Sequence, residues 1–337
     1  MHIGKSYGVF EFVRWTRRKA CILAPLTLAP VALYQLAGWR WLSLPWPVLA
    51  LLGTAAAFIV GFKNAHTYGR TVEAQQIWSA ITSASRYWGL ISRDFPAGGA
   101  ATRELVHRHL AWLTALRYEL RSPRVWESAA RHHNLDYGNR RYEVPERAVA
   151  LDRALSPHLP PETVAALLRG GRPATDLLAL QSGAIRALYA DQHLPVLHHT
   201  EMQKTLKDLT EQQARAERIK NFSYPRQYAV IHAILVWTFA ALLPLGVVRE
   251  FDRLNDGAAG LMAGQMAWLA VPFSMLLSWM YVSLDQVGES TENPFEGGAN
   301  DVPISQICAN LEAELHALIG EAAPAAMPAP PRNDIVL

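Results

Sequence analysis

The sequence is short of charge in particular places. Ala20–Trp39, Trp41–Phe62, Ala229–Val248 and Gly257–Leu284 contain no Asp, Glu, Lys or Arg. Over the whole chain 18% of residues are charged and 50% are hydrophobic, where an average soluble protein has about a quarter charged. About 20 apolar residues cross the ~30 Å hydrocarbon layer as a helix. One such run could be a buried core helix, but four in two close pairs mark a membrane protein. Alternating apolar and polar runs of useful length are missing as well, so an all-α fold is expected.

Other absences narrow the function. The two cysteines, Cys21 and Cys308, fall in a span and in a soluble helix, which suits neither a disulfide framework nor a zinc-type cluster. There is no Walker loop, no GxGxxG after a strand, no GxSxG elbow and no HExxH, so nothing points to an enzyme or to a cofactor. The twelve histidines lack ligand spacing: His107 and His109 face different sides of a helix, and His132–His133 and His198–His199 are adjacent. They read as surface residues, with no metal. A formal charge of +3 gives no basis for a nucleic-acid partner. Coupled transporters place ionisable groups within the bilayer, and here His232 and Gln265 are the notable polar exceptions. A passive pore needs no such group, because an apolar constriction can gate by dewetting.

What is present gives an organisation. Residues 1–19 mix Phe10, Phe12, Val13 and Trp15 with basic neighbours, as an interfacial helix would. Residues 20–62 form a first transmembrane hairpin and 229–284 a second, with 63–228 a soluble helical domain between them. Pro25 and Pro30 should bend the first span, while Pro45 and Pro47 stand at the start of the second, where helices tolerate proline. That second helix can continue to Asp94. Further helices are expected over Arg103–Leu120 and from about Asp176 to Asn221, with a possible interruption at Pro195. Residues 285–321 hold a turn and an amphipathic helix, and 322–337, rich in alanine and proline, read as a disordered tail. Lys5, Arg14, Arg17, Arg18 and Lys19 precede the first span, Lys63 and Arg70 follow the second, and Arg215, Arg218, Lys220 and Arg226 precede the third. The positive-inside rule then puts both termini and the large domain in the cytoplasm. A cleaved signal peptide is the competing reading of the N-terminus, but the apolar run is long and a second span follows at once.

Two stretches invite a functional reading. In "LLGTAAAFIVGFKN" (Leu51–Asn64), Thr54, Phe58 and Phe62 recur at four-residue steps on one helical face, among the small residues Gly53, Ala55, Ala56, Ala57 and Gly61. Spacing alone allows an ordinary aromatic stripe that packs or meets lipid. In "ENPFEGGANDVPI" (Glu292–Ile304), two prolines and a glycine pair preclude a helix.

These stretches, with "GFKNAHTYGRTVEAQQIWSAITSASR" (Gly61–Arg86) and "ERIKNFSYP" (Glu217–Pro225), resemble landmarks of bacterial bestrophins in the same order along the chain. The resemblance implies a homopentameric ion channel in the bacterial inner membrane, in contact with lipid and passing small ions, anions or monovalent cations. It implies a pore neck at Thr54, Phe58 and Phe62, with Thr54 departing from the usual bulky apolar residue, and a cytoplasmic constriction near Thr200. Asn293, Pro294, Phe295 and Asp301 would belong to a belt after the fourth helix. In animal relatives that belt is an acidic calcium clasp. Here its carboxylates are thinned to "EGGAND", a poor supply for an ion that wants six to eight oxygens. The belt is therefore expected to brace the pore helix, with Asn300 or Asp301 capping the helix that follows. Ile304, Ile307, Cys308, Leu311, Leu315 and Leu318 give that helix an apolar face. The alternative function is a membrane-anchored scaffold or sensor that conducts nothing.

Overall fold

A computed structural model describes residues 1–4, 7–97, 99–129, 131–257, 263–322 and 333–337. These hold twelve α-helices and no strand, apart from an isolated antiparallel bridge between His2 and Ile335. Four helices are long and apolar enough to cross a membrane: α1 (Val9–Leu36), α2 (Trp46–Asp94), α10 (Arg226–Asp252) and α11 (Ala270–Ser290), the last preceded by a 3-10 turn at Met266–Leu269. Between α2 and α10 lie α3 (Gly99–Arg121), α4 (His132–Arg141), α5 (Pro145–Ala148), α6 (Leu151–Leu155), α7 (Pro161–Gly170), α8 (Pro173–Ala190) and α9 (Val196–Asn221), and α12 (Ile304–Leu318) follows α11. The chain is an all-α membrane protein with a helical domain outside the spans.

The second helix organises both parts. It starts where Pro45 and Pro47 fit the first turn, runs 49 residues, and stops just before Pro96, which has no N–H to continue the helical ladder. At 1.5 Å per residue it is about 73 Å long, more than twice the hydrocarbon thickness. Its buried residues recur at three- and four-residue steps: Leu49, Gly53, Ala56, Val60, Lys63, Thr67, Arg70, Ala74 and onward to Trp88. Near the start this face meets α10 closely. A Cβ on Gly53 would lie 2.8 Å from the Phe239 ring, and one on Gly246 would lie 2.3 Å from Leu49. The small residues of the stripe thus divide. Gly53 and Ala56 face the interior, while Ala55, Ala57 and Gly61 face outward.

Although a short connection joins α1 and α2, both pack on α10 and α11, which leaves α2 at an edge of the bundle. Beyond the membrane, α9 runs antiparallel along α2. Arg70 donates to the carbonyls of Ile219 (3.0 Å) and Phe222 (2.8 Å), and Tyr87 donates to Glu201 (3.2 Å) at the far end. Trp78, Trp88 and Trp112 are fully enclosed in the core that α2 and α3 share with α8, α9 and α12.

Several expectations need correction. Residues 1–19 are not a separate interfacial helix. The helix begins at Val9 and continues unbroken into the first span, with Phe12 edge-on to Trp279 (5.7 Å) and Trp15 against His133 (5.9 Å). Phe12 and Trp15 are therefore held partly by protein, while Phe10 is exposed. Of the tail expected to be disordered, 323–332 lie outside the described residues, as does Lys5 at the other end. Its last residues are packed: Ile335 and Leu337 are buried beside Val144, and the Gln306 N–H donates to the Leu337 carbonyl at 2.7 Å. The interruption allowed at Pro195 is there: α8 begins at Pro173, slightly earlier than expected, and ends at Ala190, and α9 begins at Val196 directly after Pro195. Histidines are not uniformly at the surface. His109 is buried and stacked near Trp88 and Trp112, and His158 and His316 are buried as well.

One ion pair fastens α2 to α11. Lys63 Nζ lies 2.6 Å from Asp285 Oδ1, and both side chains are nearly inaccessible. Removing one partner of a buried pair leaves the other charge uncompensated, at a cost of about 3–5 kcal/mol. Lys63→Met should lower the melting temperature of the detergent-solubilised protein sharply, and the double change Lys63→Met with Asp285→Leu should recover much of the loss. A single variant as stable as the parent would show that the pair does not hold these helices.

Candidate functional site

The stripe on α2 emerges on the face opposite the packed one. Thr54 is exposed, and Phe58 and Phe62 are 63% and 70% exposed with their rings stacked at 6.4 Å. The Thr54 hydroxyl donates to the Ala50 carbonyl at 2.9 Å, so its methyl group rather than its polar atom is free. Among the described residues of one chain, nothing covers this face. Thr200 lies in the first turns of α9, exposed beside Val196 and Leu197, with its hydroxyl donating to the Val196 carbonyl at 2.9 Å. Its neighbour Glu201 meets Tyr87, 33 residues along α2 from Thr54, or about 50 Å at helical rise.

The turn after α11 is organised by a single carboxylate. Asp301 Oδ1 accepts from the backbone N–H groups of Phe295 (2.8 Å) and Val302 (2.7 Å), and Oδ2 accepts from Gly297 N–H and Arg121 Nη1, both at 2.8 Å. Phe295 is completely buried in the core and has φ = 75°, a left-handed conformation that costs a side chain with Cβ. The Asp301 bonds and the burial of the ring hold it there, and Gly297 (φ 85°) makes the next left-handed step. Pro294 is buried, while Asn293 lines a cavity of about 800 Å³ with its amide buried beside Glu296. Asp301 does not cap the following helix as expected. Pro303 occupies the cap position of α12 and no side chain bonds there, because the carboxylate is turned inward to the loop.

Glu296, which with Asp301 makes up the acids of "EGGAND", is also buried. It accepts from Ser128 N–H (3.2 Å), Ser128 Oγ (3.2 Å) and Ala129 N–H (2.6 Å), which tie the turn to the segment before α4. Burial pushes its pKa up to about 7, helped by the charge of Glu127 and opposed by the backbone N–H groups of Ser128 and Ala129. Both carboxylates are thus already committed to protein donors. The sequence showed that the acids were few; it did not show where their oxygens point.

Three outcomes follow from this geometry. Phe295→Ala should cost about 3–5 kcal/mol, read as a lower melting temperature or failed assembly, since a large buried ring is lost. Asp301→Asn should destabilise the turn because an amide nitrogen replaces an acceptor, while millimolar calcium should leave the parent's melting temperature unchanged. A calcium-dependent rise, lost in Asp301→Asn, would overturn the reading of the turn as a brace. The third outcome concerns pH. The folded pKa of Glu296 lies above its ordinary value of 4.5, so between 4.5 and about 7 the folded chain keeps a proton that the unfolded chain has released. Its stabilising effect is full below 4.5 and lost by about 7. Melting temperature should fall across that interval, and Glu296→Gln should flatten the fall. An identical pH profile in the variant would refute the assignment.

Comparison with known proteins agrees with this architecture. The family model for bacterial and fungal bestrophins matches residues 16–317. The voltage-dependent anion channel-forming protein YneE of Escherichia coli (strain K12) is 25% identical over 274 residues, which are 81% of this chain and 76% of that protein. Its counterpart mll4386 of Mesorhizobium japonicum is 23% identical, covering 86% and 82%. The crystal structure of a bacterial bestrophin homologue from Klebsiella pneumoniae superposes with a TM-score of 0.74 at 23% identity, covering 91% of this chain and 99% of that one. With a family match that takes in both the α2 stripe and the belt, this chain is a member of the bacterial and fungal bestrophin family.

Proposed function

We propose that the protein is a homopentameric channel of the bacterial inner membrane that lets small ions pass passively, with α2 lining one central pore. The observation that carries this reading is the two-sidedness of α2. One face is packed along its whole length, whereas Thr54, Phe58 and Phe62 stand uncovered at the edge of the bundle. Rings of such apolar residues contributed by several copies disfavour a continuous water column, and so form a neck without a charge. Thr54 gives the outer part of the neck a smaller side chain, and the region of Thr200 provides a second narrowing in the cytoplasmic domain. Membership of the family and the channel-forming names of the relatives support conduction, with anions as the first species to test.

The orientation with both termini, residues 63–228 and the belt in the cytoplasm rests on the basic flanks, and the contacts of those flanks support it. Arg18 pairs with Asp136 (2.9 Å), and Lys19 lies 3.8 Å from Glu289, so the start of α1 meets α4 and the end of α11 on one side. Chain self-association and lipid contact at the outward faces complete the assembly.

In mild detergent the mass should be that of five subunits, and liposomes containing the protein should relax an imposed chloride gradient. Phe58→Ala with Phe62→Ala should raise that flux while leaving the mass unchanged. A monomeric mass would sink the shared pore. Folded pentamers without flux of chloride or monovalent cations, in parent and double variant alike, would favour the scaffold or sensor.

A further inference from the structure

The cytoplasmic domain brings together three histidines that are far apart in sequence. His107 comes from α3, His158 from the loop after α6, and His316 from the last turn of α12, with ring centroids 5.3–6.1 Å apart. Two carboxylates join them, Glu312 on α12 and Glu321 just beyond it. No spacing rule finds this group, because each histidine arrives on a different segment.

With the three histidines neutral, the hydrogen bonds fix which ring nitrogens carry hydrogen. Glu321 Oε2 lies 2.8 Å from His107 Nε2 and 3.2 Å from His316 Nδ1, while Arg103 donates to its other oxygen at 2.5 Å. A carboxylate only accepts, so both of those nitrogens are N–H donors. The remaining nitrogen of a neutral His107, Nδ1, is then an acceptor, and it faces His158 Nδ1 at 3.4 Å. His158 therefore carries its hydrogen on Nδ1, and its Nε2 is a bare lone pair 3.3 Å from Glu312 Oε1. Two acceptors at that distance need a proton or a cation between them. By the same logic His316 Nε2 is bare, and it is buried without any partner. A histidine whose other nitrogen donates to a carboxylate is the arrangement that orients imidazole toward a metal ion.

We infer that His158, His316 and Glu312 form a divalent transition-metal site, with zinc the best-fitting ion, which pins α12 to the loop after α6. The ligand atoms of the three residues lie within 4.8 Å of one another. Four donors around zinc at 2.0–2.1 Å are about 3.3 Å apart, which is the separation already present between His158 Nε2 and Glu312. Two histidines, one glutamate and a water make an ordinary tetrahedral set, and His107 and Glu321 act as positioning residues behind it. Nitrogen ligands favour zinc over calcium or magnesium. The site is separate from the belt and does not rest on the channel reading.

The test uses the full-length protein in detergent, stripped with chelator, exposed to zinc and desalted. Elemental analysis should find one zinc per chain, and zinc should raise the melting temperature. Cobalt in its place should give the intense visible bands of a four-coordinate ion. His316→Gln and Glu312→Gln should each weaken zinc binding at least tenfold, whereas His132→Gln, at an exposed position, should bind as the parent does. Glu312→Gln keeps shape and hydrogen bonding, so it decides the matter if His316→Gln does not fold. Parent protein that retains no zinc would show a plain His158–Glu312 ion pair, and equal zinc in folded Glu312→Gln would place the metal elsewhere. Either result overturns the site.

Discussion

A helix that crosses a bilayer and continues unbroken into water meets a constraint that the rest of this chain answers. It must be held along one face by two different kinds of neighbour while the other face stays free. In the membrane the grip comes from close backbone approach, with Gly53 under Phe239 and Gly246 under Leu49, since apolar side chains gain little by leaving lipid for one another. Outside it, Trp78 and Trp88 take over within an ordinary hydrophobic core. Lys63 and Asp285 mark the change between these regimes. There a charge pair can be enclosed by protein and still lie near the end of the apolar span.

The belt solves a second problem of the same kind. The chain leaving α11 must turn sharply and bury a phenylalanine in a conformation that disfavours it. Four bonds to one carboxylate are what hold the turn, so Asp301 works as the hub of a loop and Arg121 balances its charge. Carboxylate oxygens that accept so many N–H groups have few lone pairs left for a cation. Asp301 and Glu296 both aim inward, at donors of the protein itself.

The sequence made the membrane helices, the length of α2 and the common face of Thr54, Phe58 and Phe62 legible, because each depends on local hydropathy and helical period. The break at Pro195 was readable for the same reason. What was hidden depends on partners distant in sequence. Nothing near Trp15 announces His133, and nothing near the C-terminus announces that Ile335 returns to His2 and Val144. The capping role expected of Asp301 was a sound local inference that lost to stronger partners across the loop. The histidines show the limit most clearly, since helical spacing tests one segment at a time and here three segments converge.

These features meet on α2. The chain touches α2 through Asp285 at Lys63 and again where Thr291 bonds Thr67 (3.2 Å), and then departs into the belt. It comes back through α12, where Glu314 pairs with Arg86 and a Cβ on Gly89 would strike Leu315 at 2.4 Å. Between Thr67 and Gly89 α2 rises about 33 Å, so belt and α12 form a strut fixed to the same helix at two levels. A strut conveys force only if its bend is stiff, which explains why the bend is built from left-handed backbone locked by Asp301 rather than from a flexible loop. It also gives the histidine cluster its significance. His316 and Glu312 lie on the far arm of that strut, so whatever stiffens their hold on the loop after α6 stiffens the support of the helix whose other face carries Phe58 and Phe62.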